Sequence, residues 1–542
     1  MARDLKADQE ILQSVLDFAQ RRDFARAATL AEQTLASGLE HPLLLNVLAT
    51  QREQEGRFDE SLLLLERAVA LSPGDIPARN ALALCLQRLD RPAEALVHLD
   101  ELLRLNPALG FAHASRGNAL IAVGSLGSAR DSHLRALQYD PNNLVAVAAL
   151  AAIATHRGEH GEARQWAERA LKMASGYPDA VLSLAAAELA DGAHARAAEL
   201  LHKLILDSRA GQIDRARATG LLGDVLDATG RYPEAYDAYV TCNDSLRQIH
   251  SRFAAGSSVR AYAQTLINAL TNLESAPKQA PGATGAVPDG ILGHAFLIGF
   301  PRSGTTLLEV VLDGHPQVTS LEENELLTAG VLRYMDEPVD LAPLASAPET
   351  ALEPVRAAYW DAVRAAGVDV RGKLFLDKHP LNTLKLPLIA RMFPQARILY
   401  AIRDPRAVVF SCFRRRFRMN PAMYQLLTLP GAAAFYDTVQ RFAELAHARL
   451  PLAWRDVRYE SLVDDLAHEV REICAFLGLD PAAGLEDFAR HARTREHATP
   501  STAQLAGGLN RSGLDQWQHY RQALEQVAPT LGPWVAKFKY GG

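Results

Sequence analysis

Cysteine is scarce in this 542-residue chain: Cys85, Cys242, Cys412 and Cys474 lie far apart, and no two form a C-x-x-C pair. So sparse a set excludes a disulfide framework and a cysteine zinc site, and it suits buried thiols in a reducing compartment. Positive charge is not in excess either. With 57 basic against 63 acidic residues the formal net charge is −6, which excludes a global pull toward nucleic acid or an anionic membrane. Any anion site must therefore be local. Long apolar runs are missing too: no segment approaches membrane-spanning length, and the opening MARDLKADQEILQ has no apolar core of the signal-peptide kind. The expectation is a cytoplasmic chain with no nucleic-acid partner and no membrane span. What remains is ordinary for globular protein, 48% apolar and 22% charged, in a length sufficient for two or more domains.

The N-terminal half repeats itself. Pro73, Pro107 and Pro141 are spaced by 34, as are Gly56, Asp90, Gly124, Gly158 and Gly192. Ser61, Ala95, Ala129, Ala163 and Ala197 form a third ladder in the same register, and Ala68, Leu102, Ala136, Ala170 and Leu204 a fourth. Arg22 and Ala27 keep the register at the start, whereas Gly230 and Ala235 are displaced by four residues, which places an insertion in a loop around 208–213. A small residue at each inter-helix turn, small alanines between helices and proline after the second helix resemble the tetratricopeptide repeat (TPR). The resemblance implies an α-solenoid of about six or seven repeats, from residue 8 to roughly 250, with a concave face. That face is a candidate surface for a protein partner, although no basic clamp stands out on it. The alternative is that the array shapes or extends the domain behind it. A terminal helix and a Pro/Gly/Ala-rich linker are expected over 251–290, dividing an array at 1–250 from a second domain at 291–542.

The most informative stretch runs from His294 to Asp313. An apolar run ends at Gly299, passes through Phe-Pro-Arg-Ser-Gly-Thr-Thr, and re-emerges with helical spacing: strand, tight loop, helix. Such a loop leaves unpaired backbone N–H groups at a helix N-terminus, which favours an anion. Ser303, Thr305 and Thr306 add hydroxyls, Gly304 frees the turn, and Arg302 adds a planar fork suited to phosphate oxygens. The spacing is that of an NTPase P-loop, but Thr305 stands where such a loop has lysine, and the cation has moved inside the loop to Arg302.

Downstream, strands are expected at 295–300, 373–376 and 397–402, alternating with helices, so the C-terminal half reads as α/β with a central parallel sheet. Lys378 then lies just past one strand end and Arg403 at another. Ser411 is expected two turns into the next helix, with Arg415 one turn beyond on the same face, giving a second anion site. The basic run 413–418 is expected to carry Arg415 inward while its neighbours stay exposed or grip an acidic acceptor. Glu322 and Glu323 on their own would start a solvated helix. His315 and His379 compete with them for a general-base role, and His315, before Pro316, fits a helix-end contact better.

Here the second domain resembles a known family. Pro301-Arg-Ser-Gly-Thr-Thr306 is similar to the 5′-phosphosulfate loop of sulfotransferases that use 3′-phosphoadenosine 5′-phosphosulfate (PAPS), and Arg403-Asp-Pro-Arg-Ala-Val-Val-Phe-Ser411 resembles their 3′-phosphate segment. The stretch from Gly304 to Glu323 resembles the tyrosylprotein sulfotransferases, and the array plus transferase resembles bacterial TPR-containing sulfotransferases. The resemblance implies Glu323 as catalytic base, with Lys378 and Ser501 stabilising the transition state. It further implies Arg302, Ser303, Gly304, Thr305, Thr306, Arg403, Ser411, Arg415, Tyr459 and Arg511 around PAPS, and no metal. The acceptor would be a peptide tyrosine, or else a carbohydrate, lipid or small-molecule hydroxyl. Glu325 departs from the family, which has arginine there facing acidic peptides. A nucleotide-dependent kinase and a non-catalytic TPR scaffold are the other readings, the first opposed by the missing loop lysine and the second by the intact set of candidate residues.

Overall fold

The computed structural model describes residues 5–254, 258–273, 287–480 and 512–541; the candidates Ser501 and Arg511 lie outside the described residues. The chain divides into two compact units, one of residues 1–155 with 159–184, the other of 156–158 with 185–542.

Helices follow one another in seven pairs among the described residues, from Leu5–Gln20 with Phe24–Ala36 to Gln212–Ala228 with Tyr232–Ile249. The ladders explain the pairing. Ser61, Ala95, Ala129, Ala163 and Ala197 are all fully buried, as are Ala68, Leu102, Ala136 and Ala170, so each repeat hides the same two positions. At the turn ladder the backbone is left-handed throughout: Gly56, Gly124, Gly158, Gly192 and Gly230 have φ between 73° and 84°. Arg22 and Asp90 adopt the same region at 61° and 60° without glycine's freedom. The four-residue insertion is not in the 208–213 loop. The connection from Leu206 to Gln212 is ordinary, and Gln212–Ala228 has 17 residues where the corresponding helix of the preceding repeat, Pro178–Ala190, has 13. Four residues are about one helical turn, so the insertion lengthens the helix while keeping its buried face in place.

The second unit holds a five-stranded parallel sheet in the order β2-β3-β1-β4-β5, where β1 is Gly293–Gly299, β2 Val318–Glu322, β3 Leu374–Lys378, β4 Arg397–Ile402 and β5 Ala453–Arg458. Three of these strands were expected; the two edge strands, β2 and β5, were not. Alternate residues face opposite sides. Phe296, Ile298, Phe375, Ile398 and Tyr400 enter one core; Ala295, Leu297, Leu374, Leu376 and Leu399 enter the other, with Leu307 to Leu312 of the helix after β1. Burial on both faces is what a parallel sheet requires. Because every strand runs the same way, the ends of β1, β2, β3 and β4 meet along one edge, and the chain crosses over β1 in passing from β3 to β4, the usual place for a ligand crevice. The unit that holds the sheet also takes in Gln212–Ala228 and Tyr232–Ile249, so it starts well before residue 250.

Gly124, at φ 84°, has nothing within 4 Å of where a Cβ would stand. Gly124→Ala should therefore report backbone strain without a clash and destabilise the array by about 1 kcal/mol. Arg22→Gly should move stability the other way, both read as thermal midpoints of the full chain.

Candidate active site

The loop after β1 is held open by its own backbone. Gly299 has φ 155°, Arg302 68° and Gly304 101°. A Cβ on Gly304 would stand 2.5 Å from the Tyr459 ring, so that ring packs directly on the loop. Thr383 clamps its start: its hydroxyl donates to the Gly299 carbonyl at 2.8 Å and accepts from the Gly299 N–H at 3.1 Å. Ser303 Oγ donates inside the loop to the Phe300 carbonyl at 2.6 Å. The helix Thr305–Asp313 begins at once, with Thr305 buried and Thr306 half-buried.

Arg302 and Arg403 share one cleft. The Arg403 guanidinium donates to the Arg302 carbonyl at 3.1 Å and lies 4.6 Å from the centre of the Tyr459 ring. Arg302 Nε in turn donates to Ser411 Oγ at 3.1 Å, so the loop cation reaches the supposed second anion site directly. Burial, with the charges of Arg415 and Arg403, pulls the Arg302 guanidinium down to about 9. Several cations are thus crowded together at this end of the sheet. One expectation fails here. The helix after Arg403 is Pro405–Arg414, Ser411 lies within it, and Arg415 is extended backbone at φ −88°, ψ 134°, not a further helical turn. Nor are Arg415's neighbours exposed: Arg414 and Arg416 are bound to Asp224.

Beside the loop stands a buried lysine. Lys378, the last residue of β3, is fully buried, and its Nζ lies 2.9 Å from Glu323 Oε1, 3.0 Å from Glu322 Oε1 and 3.3 Å from Glu309 Oε2. Strand register does this: Glu322 pairs with Lys378 across β2 and β3, and the Glu323 N–H donates to the Lys378 carbonyl at 2.7 Å. Burial alone would lower the lysine's pKa, but Glu309, Glu322 and Glu323 together raise it above the ordinary value, so it is charged. The three glutamates differ. The side chains of Glu309 and Glu322 are buried, whereas that of Glu323 is 49% exposed. Glu323 is not in a helix start; it sits past the end of β2 at φ 50°. Burial pushes its carboxyl up, but Lys378, His379 and Arg302 hold it below the usual range.

The rival histidines are otherwise engaged. Gln317 N–H donates to His315 Nδ1 at 3.0 Å, so Nε2 carries the proton and donates to the Asp480 carbonyl at 2.8 Å. His379 Nε2 lies 3.2 Å from Glu325, which also binds Lys385 at 2.5 Å. His379, burial opposing it, and Lys385 leave Glu325 far below the usual carboxylate range.

Glu309 and the buried Asp377 went unrecognised in the sequence. A charge inside Thr-Thr-Leu-Leu-Glu-Val-Val-Leu was the available signal for Glu309. Asp377 faces away from Lys378 and accepts from Tyr359 OH at 2.9 Å and Asn382 at 3.3 Å. A cavity of about 270 Å³, lined by Tyr400, Gln440, His447 and Trp454 among others, contains none of these site residues. Among the described residues no group of three or more His, Cys, Asp or Glu is arranged to hold a metal ion, and no helix is long and apolar enough to cross a membrane.

Comparison with known proteins follows the same division. Residues 295–483 match the sulfotransferase family; residues 53–112, and 12–76 with 114–178, match tetratricopeptide repeats. An uncharacterized protein of Aquifex aeolicus is 23% identical over 354 residues, 61% of this chain and 43% of its own length. A putative protein-tyrosine sulfotransferase of Caenorhabditis briggsae is 26% identical over 247 residues, 44% of this chain and 86% of its own. Nodulation protein NoeE of Sinorhizobium fredii is 28% identical over 218 residues, 35% of this chain and 52% of its own. The chain thus spans about half or less of two of these three relatives.

Burial pushes the Asp377 carboxyl up to about 6, against the Tyr359 hydrogen bond. Between about pH 4 and 6 the folded chain then binds this proton better than the unfolded chain, so the stability it contributes is full below pH 4 and lost as pH rises through 6. Asp377→Asn should be more stable than the parent by about 1–3 kcal/mol at pH 7.5, with the gain shrinking toward zero near pH 4. Thermal midpoints of both proteins across that range check it.

Proposed function

We propose that this chain, whose residues 295–483 form a sulfotransferase-family domain behind a TPR array, moves the sulfuryl group of PAPS to an acceptor hydroxyl. Glu323 is the base. The observation that carries this is the meeting of a half-exposed carboxylate with the charged, buried Lys378 at 2.9 Å, at the same sheet edge as the loop of Arg302. The lysine's other two carboxylates, Glu309 and Glu322, stay buried, so Glu323 is the carboxylate an acceptor can reach.

In the proposed reaction the acceptor oxygen forms a bond to sulfur as the bond from sulfur to the phosphate oxygen breaks. The acceptor proton goes to Glu323, and the nucleotide leaves as adenosine 3′,5′-bisphosphate with the new negative charge on its 5′-phosphate. Positioning and electrostatics supply most of the catalysis in such transfers. Lys378 and Arg302 would meet the charge on the departing oxygen, and a lysine N–H that turns from Glu323 to that oxygen would leave Glu323 a stronger base as it is needed. Ser303, Gly304, Thr305 and Thr306 would hold the 5′ end; Arg403, Ser411 and Arg415 the 3′-phosphate, with Tyr459 beside the nucleotide. The roles given to Ser501 and Arg511 fall on residues outside those described. As proposed, the reaction uses no metal. We place the reaction in the cytoplasm, on the four buried free thiols.

The acceptor is proposed as a hydroxyl of a peptide tyrosine or of a carbohydrate, lipid or small molecule. Glu325 bears on the choice. It ties up Lys385 and His379, so these side chains are not offered to acidic residues flanking a tyrosine. That favours an acceptor without acidic flanks. The concave face of the array is proposed as a docking surface for a protein partner.

Calorimetry should find tight binding of adenosine 3′,5′-bisphosphate and weak binding of ATP; the reverse would mean a kinase, and binding of neither a scaffold. Glu323→Gln should keep bisphosphate affinity within about twofold and lose roughly 10²–10⁴ in turnover. Loss of both in parallel would remove Glu323 from the base role. Labelled PAPS incubated with lysate and the protein should carry label into the acceptor class, protein or small molecule.

A further inference from the structure

Strand β1 runs on past one of its neighbours. Its last pair with β3 is Leu297 with Lys378, two residues short of Gly299, where the loop begins. On the other side it stays beside β4 to its end, Gly299 pairing with Ala401. Gly299 is buried, and buried backbone groups left without partners are costly. One side chain meets this need. After Lys378 the chain turns through Pro380–Lys385, and the turn brings Thr383, fully buried, back against β1. Its hydroxyl accepts from the Gly299 N–H at 3.1 Å, and its one proton is offered to the Gly299 carbonyl at 2.8 Å and the Pro380 carbonyl at 2.9 Å.

Both ends of that contact are held. The turn is fastened to the strand that carries the lysine: Asn382 donates from its side chain to Asp377 at 3.3 Å and from its backbone to the His379 carbonyl at 3.0 Å. Gly299 is closely packed as well. A Cβ there would stand 2.8 Å from the Ala401 carbonyl oxygen and 2.9 Å from Ser303 Oγ. The first residue of the loop thus has β4, a side chain of the loop itself and the turn after Lys378 as close neighbours.

We propose that Thr383 is a positioning residue for the anion loop: its hydroxyl takes the place of a strand partner at Gly299 and so sets the loop's backbone in register with Lys378. This rests on the PAPS reading given above, in which the loop holds the 5′ end of the nucleotide and Lys378 meets the charge on the departing oxygen. Those two parts belong to different strands, whose pairing ends at Leu297 and Lys378. Beyond that pair the Thr383 hydroxyl carries the register on into the loop. Thr383 touches no reactant in this scheme and acts through Gly299. A residue that served stability alone would, when changed, weaken every ligand alike or none. A loop loosened at its first residue loses affinity for the phosphate it holds and for no other.

The test is calorimetry on the full-length chain with adenosine 3′,5′-bisphosphate and adenosine 3′-monophosphate, which differ only in the phosphate assigned to the loop. Thr383→Val keeps the branched shape and removes the hydroxyl. It should weaken the bisphosphate about tenfold and the monophosphate less than about twofold, while Thr383→Ser, which restores the hydroxyl, should stay within about twofold of the parent for both. Bisphosphate binding unchanged in the valine variant, equal loss of both nucleotides in a variant whose circular dichroism matches the parent, or a serine variant as weak as the valine one would overturn the proposal. Should the valine variant not fold, Thr383→Cys keeps the size with a weaker hydrogen-bonding group, and the same selective loss, smaller in size, is expected. If the parent chain fails to favour the bisphosphate over the monophosphate, the PAPS reading itself falls, and this inference with it. A parent that favours it and a valine variant that favours it equally sink this inference alone.

Discussion

The ammonium of Lys378 is the group around which the chemistry of this domain is arranged. A lone ammonium moved into the interior loses several kcal/mol of hydration, and at zero exposure Lys378 could not stay charged unaided. It donates to Glu322 and Glu323 and forms an ion pair with Glu309, three carboxylates each from a different part of the fold: Glu309 from the helix after β1, Glu322 from the end of β2, and Glu323 from the turn beyond. The lysine thereby ties the edge strand, its neighbour and the loop helix to one point. Two of the carboxylates are buried with it, and the third faces the solvent side. This asymmetry gives the cluster both a permanent part and an exchangeable part.

The opposite side of the same cleft has the reverse imbalance. Partial burial together with the charges of Arg415 and Arg403 depresses Arg302 to about 9. Like charges held together in a low dielectric are a cost to the fold. The loop backbone carries a parallel cost, since Arg302 occupies a left-handed conformation that an L-residue seldom adopts. Both are sustained by surroundings already fixed: Thr383 under Gly299, the Tyr459 ring against Gly304, and the arginine–carbonyl bond from Arg403.

Much of this was legible from sequence because it depends on local periodicity. The 34-residue ladders and the strand–loop–helix pattern need only spacing and residue size, and the ladder positions are the buried ones. Strands β1, β3 and β4 were readable because both of their faces are apolar. The edge strands were not: Val318-Thr-Ser-Leu-Glu and Ala453-Trp-Arg-Asp-Val-Arg mix polar with apolar residues without a regular period and carry charge, as edges do. Loop and helix insertions look alike in a sequence, so the extra turn in Gln212–Ala228 was assigned to the preceding loop. The end of the Ser411 helix was missed for a related reason, since nothing local in Arg414-Arg-Arg416 signals a stop. A carboxylate 190 residues earlier holds the segment.

That last case bears on how the array and the enzyme-like domain are related. A repeat array built only to recruit partners would end in a polar capping helix, and its acidic residues would face water. Here the terminal pair spends Asp224 and Asp227 on arginines, a tyrosine and a glutamine of the sheet domain, with side chains 12–16% exposed. Breaking one partner of such a buried set leaves a charge uncompensated, so the surface between the repeat pair and the sheet domain resists separation in a way a flexible linker does not. The repeat pair is then better regarded as packed into the sheet domain than as a module attached to it, and a fragment cut near residue 250 would lack these contacts.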